Sequence, residues 1–161
     1  MKITFVTPAV ENQGIEILSA LLRERGHVTD LVVDYRLFDT EAIQSSRLKR
    51  FFDGTKRIVQ EVVLSKPDLV GFSVYTISYQ WALALARQIK AAANIPVIFG
   101  GIHPTTVPER VIAQDAVDMV CIGEGEEALL ELAETIDRNE DRTDILNLWF
   151  KRDGQIIRNP V

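Results

Sequence analysis

Short runs of almost wholly apolar residues recur along this sequence, and a stretch with helical spacing follows most of them. The four clearest runs are Ile3 to Val6, Leu69 to Ser73, Pro96 to Phe99 and Met119 to Ile122. Such runs are typical of strands buried on both faces of a parallel sheet that is covered by helices. With a further strand at Leu31 to Val33, the pattern predicts a doubly wound α/β domain. Its five parallel strands take the flavodoxin-like order 2-1-3-4-5.

The stretches between the strands carry apolar residues three or four positions apart, which is the spacing of one helix face. Gly26 and Pro67 mark the predicted ends of the first two helices. Residues 34–50 lack a clear period, so we expect a long loop with a helical turn there. The predicted helical stripes are Ile15, Leu18 and Leu22; Ile58, Val59, Val62 and Val63; Ile77, Trp81, Leu85 and Ile89; and Leu129, Leu132, Ala133 and Ile136.

The C-terminal residues depart from this alternation. Leu146 to Phe150 and Gln155 to Arg158 flank Asp153-Gly154, a dipeptide that favours a hairpin turn. We interpret residues 1–143 as one domain and residues 144–161 as a β-hairpin linker toward a further domain. The chain is therefore expected to be a fragment of a longer protein.

Composition argues against several classes of partner. The chain has 161 residues, of which 47% are hydrophobic and 25% charged, which suits one globular domain with its own core. The formal net charge of −5 argues against nucleic acid and anionic membranes as partners. No apolar run approaches the ~20 residues of a membrane-spanning helix, and the N-terminal run is too short for a signal peptide. We expect a cytoplasmic protein.

Cysteine and histidine are scarce in this sequence. Cys121 is the only cysteine, so it forms no internal disulfide and cannot by itself hold an iron–sulfur cluster, which takes several thiolates. Because Cys121 lies in an apolar run, we expect its thiol to be buried and inert. His27 follows Gly26 at a predicted helix end, where we expect a surface side chain.

Small and polar residues collect where the predicted strands end. In an open α/β sheet, ligands bind beyond the carboxyl ends of the strands, and four loops meet there: residues 7–14, 73–78, 100–106 and 123–127. Gly100-Gly101 lets a ligand approach the backbone. The second loop offers four neutral hydroxyl groups, on Ser73, Tyr75, Thr76 and Ser78. Turn shaping and helix capping explain each feature singly, whereas the four loops together favour a binding site.

Other ligands of this fold class fit less well. Gly123 to Ala128 matches the G-x-G-x-x-A pattern of dinucleotide sites, but it follows the fifth strand and its three glutamates would repel a pyrophosphate. The glutamates suit the first turn of a helix instead. A phosphorylated receiver domain needs aspartates where Thr7-Pro8-Ala9 and Ser73 stand. His103 faces the predicted site without a second histidine or thiolate near it in sequence, so we expect no metal ligand and no catalytic residue in this chain.

One set of motifs carries a family resemblance. Gly100-Gly101-Ile102-His103-Pro104-Thr105 is followed by Asp118 to Val120 and by Gly123-Glu124-Gly125-Glu126. With these motifs the chain resembles the N-terminal cobalamin-binding domain of cobalamin-dependent radical S-adenosylmethionine enzymes. The resemblance implies that this domain binds cobalamin. It also implies a radical domain in the same full-length chain, with a 4Fe–4S cluster and S-adenosylmethionine, for methyl transfer or related radical chemistry.

The resemblance also places the cofactor. It implies a corrin over Ser73 to Thr76 and Gly100 to His103, with the nucleotide tail between the first and third strands. Cobalamin domains with a D-x-H-x-x-G motif supply a histidine to cobalt, but here Glu11 stands at the histidine position and Ala9 at the aspartate position. The resemblance therefore implies base-off binding without that histidine. The implied cofactor-binding residues are Thr7, Pro8, Asn12, Gly14, Ser73, Tyr75, Thr76, Gly100, Gly101, His103, Gly123, Glu124, Gly125 and Glu126.

Two alternatives stay open at this point. The domain has lost cobalamin and serves as a docking or structural domain of such an enzyme, or it is a free-standing small-molecule sensor. Gly101→Val is expected to block the approach of the corrin or its tail while leaving the fold intact.

Overall fold

A computed structural model describes residues 1–8, 12–34 and 54–161, which form one sheet with helices on both faces. The strands are β1 (Lys2–Pro8), β2 (Val28–Asp34), β3 (Leu69–Ser73), β4 (Val97–Gly100), β5 (Met119–Cys121), β6 (Leu148–Arg152) and β7 (Gln155–Arg158). The helices are α1 (Gln13–Glu24), α2 (Thr55–Ser65), α3 (Tyr79–Ala92), α4 (Ile102–Thr106), α5 (Pro108–Ile112) and α6 (Glu126–Asp137), with a 3₁₀ turn at Thr76–Ser78. The predicted loop over residues 35–50, as well as Ala9 and Glu11, lies outside the described residues.

The strand order is β2-β1-β3-β4-β5-β6-β7. The first five strands are parallel and follow the predicted order, which confirms the α/β fold. The hairpin differs from a detached linker, because β6 pairs antiparallel with β5 and extends the sheet to seven mixed strands. Leu148 and Phe150 of β6 are both buried. The pairing satisfies the backbone hydrogen-bonding groups at the outer edge of β5 and buries these two side chains at the same time.

Two cores lie on opposite faces of the sheet. The α2–α3 face is covered by α2, α3 and α5, and its core includes Val6, Phe72 and Phe99. The α1–α6 face is covered by α1 and α6, and its core includes Phe5 and Ile98. Because side chains alternate along a strand, neighbouring residues of β1, β3 and β4 belong to different cores.

Ile77 departs from the predicted helical stripe. It lies in the 3₁₀ turn before α3 and is 94% exposed, because the helix begins only at Tyr79. Trp81, Leu85 and Ile89 do pack against the α2–α3 core as predicted. Residue spacing alone does not locate the start of the helix, because residues of a turn just before it can continue the helical spacing.

His27 is buried, so its predicted surface position is wrong. Its Nδ1 lies 3.1 Å from the Met1 amino group and 3.0 Å from Asp137 Oδ2. The Met1 amino group also pairs with Asp137 Oδ1. This hydrogen bond from the amino group lowers the pKa of the Asp137 carboxyl, and the charge of His27 adds to the effect. The cluster joins α6 to the segment after α1 at the amino edge of the sheet.

Within residues 1–8, 12–34 and 54–161, no helix has both the length and the apolar character that a membrane span requires.

Candidate functional site

The carboxyl edge of the sheet is open on one face because small and large residues alternate along two strands. β3 ends with Gly71, Phe72 and Ser73, and β4 ends with Phe99 and Gly100. Phe72 and Phe99 turn toward the α2–α3 core, where their rings lie 5.1 Å apart. The glycines and the serine turn toward the α1–α6 face and leave a cavity there.

This cavity has a volume of about 160 Å³. An apolar cavity of roughly 150 Å³ holds benzene, so this space is on the scale of one aromatic ring. Its buried floor is apolar and centred on Gly71, which lies in register between Phe5 of β1 and Ile98 of β4. The lining residues are Phe5, Gly14, Ile15, Leu18, Gly71, Phe72, Ser73, Ile98, Gly100, Gly101, Cys121, Gly123, Glu124, Gly125, Glu126 and Leu129.

Gly71 is required by the packing of the floor. A Cβ atom there would lie 2.9 Å from Cδ1 and 3.0 Å from Cε1 of the Phe5 ring. Gly100 is different, because a Cβ atom would meet only Cys121 Cβ at an ordinary 3.5 Å. Gly71 is therefore required by the packing of the floor, whereas Gly100 only leaves space in the cavity.

Gly101 holds the turn between β4 and α4. Its φ is +97°, and a Cβ atom would lie 3.0 Å from Val74 N and 3.1 Å from Val74 O. These two backbone groups are hydrogen-bonded to Gly100 O and His103 N. The expectation that Gly101→Val leaves the fold intact is therefore wrong, because valine would be strained at this φ and would collide with backbone.

A second group of predicted residues lies beside the cavity, toward α3. His103 Nδ1 is 3.2 Å from Thr76 Oγ1, and its ring stacks on Tyr79 with 4.3 Å between centroids. Burial raises the pKa of Tyr79, against a smaller opposing effect of Arg87. Tyr75 is 46% exposed. We name Tyr75, Thr76, Tyr79 and His103 the rim cluster, and it offers aromatic and hydrogen-bonding groups along the sheet edge.

The loop between β5 and α6 is fixed by hydrogen bonds. Gly123 N donates to Thr105 Oγ1 over 3.0 Å, and that hydroxyl donates to Gly101 O over 2.9 Å. Asn147 Nδ2 donates to Glu124 O over 3.0 Å. Glu124 therefore belongs to an ordered loop and Glu126 to the first turn of α6, and both residues line the cavity.

The cavity also has a thiol in its wall. Cys121 is buried, as predicted, and burial raises its pKa to about 12, with smaller contributions from the charges of Glu126 and Glu124. Its Sγ lies 3.9 Å from Glu124 O, a weak hydrogen bond. The neutral thiol acts here as a small apolar group.

The β6–β7 hairpin returns the chain to this edge. Asn147 N donates to Pro160 O over 2.8 Å, and Trp149 Nε1 donates to Asn159 O over 3.2 Å. A Cβ atom on Gly123 would lie 3.5 Å from Val161 Cγ1. Val161 thus lies next to the loop that lines the cavity.

The structure separates the predicted site residues into two groups. Asn12 caps α1, because its Oδ1 accepts from Ile15 N over 3.1 Å, and Ser78 caps its own turn through the backbone of Tyr75. Thr7 is buried with its hydroxyl on Pro8 O. The predicted residues that line the cavity are Gly14, Ser73, Gly100, Gly101, Gly123, Glu124, Gly125 and Glu126. Those outside its lining are Thr7, Pro8, Asn12, Tyr75, Thr76 and His103.

Sequence reasoning missed the apolar part of the lining. The signal for Gly71 was available, since a glycine inside a buried strand marks a close approach of another group. The other missed residues are indistinguishable from core by sequence: Phe5, Ile15, Leu18, Phe72, Ile98, Cys121 and Leu129.

Comparison with known families identifies the domain. The profile of the B12 binding domain matches residues 5–133, which is most of the chain. This chain belongs to the B12-binding domain family. Cobalamin is the cofactor of that family, which confirms the resemblance inferred from the glycine motifs.

Curated relatives of this B12-binding domain are longer proteins. An uncharacterised methyltransferase of Pyrococcus horikoshii is 26% identical over 174 residues, which cover 99% of this chain and 35% of the relative. The anaerobic magnesium-protoporphyrin IX monomethyl ester cyclase of Rubrivivax gelatinosus is 24% identical, with 100% of this chain and 30% of the relative covered. The chain thus spans about a third of the length of these relatives.

Two solved enzymes share the fold of the B12-binding domain. One is the radical S-adenosylmethionine methyltransferase TsrM from Kitasatospora setae with cobalamin and a 4Fe–4S cluster bound. It has a TM-score of 0.78 and 19% identity, and the match covers 99% of this chain and 28% of TsrM. The other is the cobalamin-dependent radical enzyme OxsB with aqua-cobalamin and S-adenosylmethionine bound, with a TM-score of 0.75, 17% identity, and coverage of 99% and 22%.

The described residues fit a cobalamin. The space left by Gly71 and Gly100 takes an aromatic ring, and the apolar floor suits the base of a nucleotide tail. The rim cluster and Gly101 offer backbone, aromatic and neutral hydroxyl groups along the same sheet edge. Among residues 1–8, 12–34 and 54–161, no lysine or arginine lines the cavity.

Proposed function

We propose that this chain binds cobalamin with the base of its nucleotide tail detached from cobalt and inserted into the cavity on the α1–α6 face. The observation that carries the proposal is the ring-sized, apolar cavity beneath Ser73 and Gly100, at the strand ends where the family motifs lie. Insertion stabilises the complex because the base leaves water for an apolar floor.

Each part of the edge has a role in this proposal. Gly14, Ser73 and Gly100 line the passage of the tail, and Ser73 Oγ makes no hydrogen bond to another described residue. The rim cluster and Gly101 support the macrocycle through backbone, hydroxyl and aromatic contacts. Bound cobalamin supplies a cobalt ion that carries alkyl groups.

Binding is tested by incubating the chain with hydroxocobalamin, removing free ligand by desalting and recording the absorbance of the retained corrin. Gly100→Leu should weaken binding at least about tenfold, since its side chain occupies the cavity while its Cβ has room. Ala92→Leu is the matched control, because it adds a similar bulk at an exposed position at the opposite edge of the sheet. Absence of a retained corrin in the folded wild-type chain would favour the docking or sensor alternatives.

The base-off state is tested by electron paramagnetic resonance after reduction of the bound corrin to cobalt(II). We expect a spectrum without nitrogen superhyperfine splitting, because the tail base lies in the cavity and His103 is engaged by Thr76 and Tyr79. Splitting from one nitrogen would contradict this. His103→Gln would then distinguish the imidazole from the tail base, since only imidazole splitting would disappear.

We further propose that the chain is the N-terminal part of a cytoplasmic radical S-adenosylmethionine enzyme for methyl transfer or related radical chemistry. Because β6 pairs with β5, the hairpin is part of this domain's sheet, so the proposed boundary toward the radical domain lies after β7 rather than near residue 143. The support is the length of the relatives, of which this chain covers 35% and 30%. The test is the full-length protein: a C-x-x-x-C-x-x-C motif after residue 161 and reductive cleavage of S-adenosylmethionine by the reconstituted enzyme are expected.

A further inference from the structure

The side chains that line the cavity bear on which base of a nucleotide tail it accepts. Its wall includes apolar side chains from five elements, and among the described lining residues Ser73 has the one uncharged polar side chain. The apolar side chains are Phe5, Ile15, Leu18, Ile98, Leu129 and the neutral thiol of Cys121. Four backbone groups of the lining, Gly100 O, Gly101 O, Gly123 N and Glu124 O, already have hydrogen-bond partners.

Corrinoid cofactors differ in the base that ends the nucleotide tail. A dimethylbenzimidazole detached from cobalt has one free ring nitrogen, which a single hydroxyl satisfies. An adenine in the same place has in addition two ring nitrogens and an amino group. Polar groups buried without a partner cost free energy, and apolar methyl groups buried in the same place gain it.

We infer that this cavity selects cofactors with a benzimidazole base and discriminates against those with a purine base, and that Leu18 and Leu129 determine the choice. This inference rests on the proposed function. Ser73 would hold the one free nitrogen of the benzimidazole, whereas the two leucines would offer no hydrogen-bond partner to the amino group of a purine. Leu18 comes from α1 and Leu129 from α6, so both helices of the α1–α6 face contribute to the cavity wall.

The two glutamates of the lining, Glu124 and Glu126, are the groups that would favour a purine base instead. Glu124 is exposed and Glu126 half-buried, so their carboxylates belong to the outer part of the lining rather than to its floor. A carboxylate that reached the adenine amino group would reverse the preference. The direction of selectivity therefore tests where the base lies.

The experiment measures dissociation constants of the chain for cobalamin, for the adenine-containing cobamide with the same corrin, and for cobinamide, which lacks the nucleotide. We expect cobalamin to bind at least about tenfold more tightly than the adenine cobamide. Cobinamide should bind more weakly than cobalamin, because it leaves the cavity unfilled. Leu18→Gln should reduce the preference severalfold by providing an amide to the purine. Ile17→Gln is the matched control, since Ile17 is 53% exposed on the same helix.

The outcomes separate the two proposals. Equal affinities for cobalamin and the adenine cobamide, or tighter binding of the latter, would overturn the selectivity and leave cobalamin binding intact. Cobinamide binding as tightly as cobalamin would place the base outside the cavity and overturn the inference. If a chain shown to be folded by circular dichroism binds none of the three, the proposed function itself fails.

Discussion

The two faces of the sheet are built on the same strands, but at the carboxyl edge one face is closed by packed aromatic side chains and the other is open. On the α2–α3 face, Phe72 packs against Phe99 and edge-on against Trp81, with 6.1 Å between the latter centroids. On the α1–α6 face, Gly71 and Gly100 leave a cavity beside those aromatic rings. Because successive side chains of a strand point to opposite faces, one strand can contribute to a packed core on one face and to an open site on the other at the same level of the sheet.

The largest expected effect is on the sealed face. Phe99→Ala removes a ring that is fully buried against Phe72, and we expect the free energy of unfolding to fall by about 3–5 kcal/mol. Urea denaturation followed by circular dichroism measures the change. A loss below about 1 kcal/mol would mean that this face tolerates a void as the other one does, and the comparison would fail.

Gly71→Ala should have the next largest effect, because its Cβ would lie 2.9 Å from the Phe5 ring. The ring must move, and we expect a loss of about 1–3 kcal/mol in the free energy of unfolding. Cobalamin affinity should fall as well, since Phe5 forms part of the cavity floor. Denaturation and ligand titration of the same preparation check both parts, and unchanged stability with full affinity would show that the floor is not tightly packed.

Gly100→Ala sharpens the comparison between the two glycines. Its Cβ meets only Cys121 at 3.5 Å, so the folded state is not strained. We expect the free energy of unfolding to stay the same or rise by up to about 1 kcal/mol, because alanine restricts the unfolded chain. The same denaturation measurement tests this, with Gly71→Ala as the counterpart. Destabilisation equal to that of Gly71→Ala would contradict the assignment of space at this position.

The smallest effect concerns the opposite, amino edge of the α1–α6 face, where charges join the helices. Asp137→Asn should lower the free energy of unfolding at neutral pH by at most about 1 kcal/mol, since the carboxyl is 42% exposed. The pKa of Asp137 is lowered in the folded chain. Its contribution is therefore complete above its ordinary pKa of about 4 and is lost as the pH falls through the lowered value. Thermal unfolding of both chains against pH tests this, and a difference that grew on acidification would refute it.

Much of this architecture follows from local patterns. The apolar runs at Leu69 and Met119 predicted the parallel strands and their order, because continuous apolarity and short connections leave few other arrangements. The hairpin at residues 148–158 was predicted as a hairpin, but its pairing with β5 depends on an exposed strand edge that no local pattern encodes. His27 was misplaced for the same reason, since its partners Met1 and Asp137 are distant in sequence.

The candidate site divides in the same way. Glycine pairs and hydroxyls at strand ends predicted the edge, and Gly14, Ser73 and Gly100 do line one cavity. The apolar wall could not be predicted, because Leu18 and Leu129 have the spacing of ordinary core positions. Which core position borders a void depends on the size of residues on other strands, above all Gly71.

The contact between the β6–β7 hairpin and the loop after β5 has a consequence for ligand binding at this edge. Val161 lies beside Gly123, Asn147 N donates to Pro160 O, and Asn147 Nδ2 donates to Glu124 O. A loop that is already held by such contacts has less conformational entropy to lose when a ligand binds. The hairpin therefore preorganises one wall of the cavity.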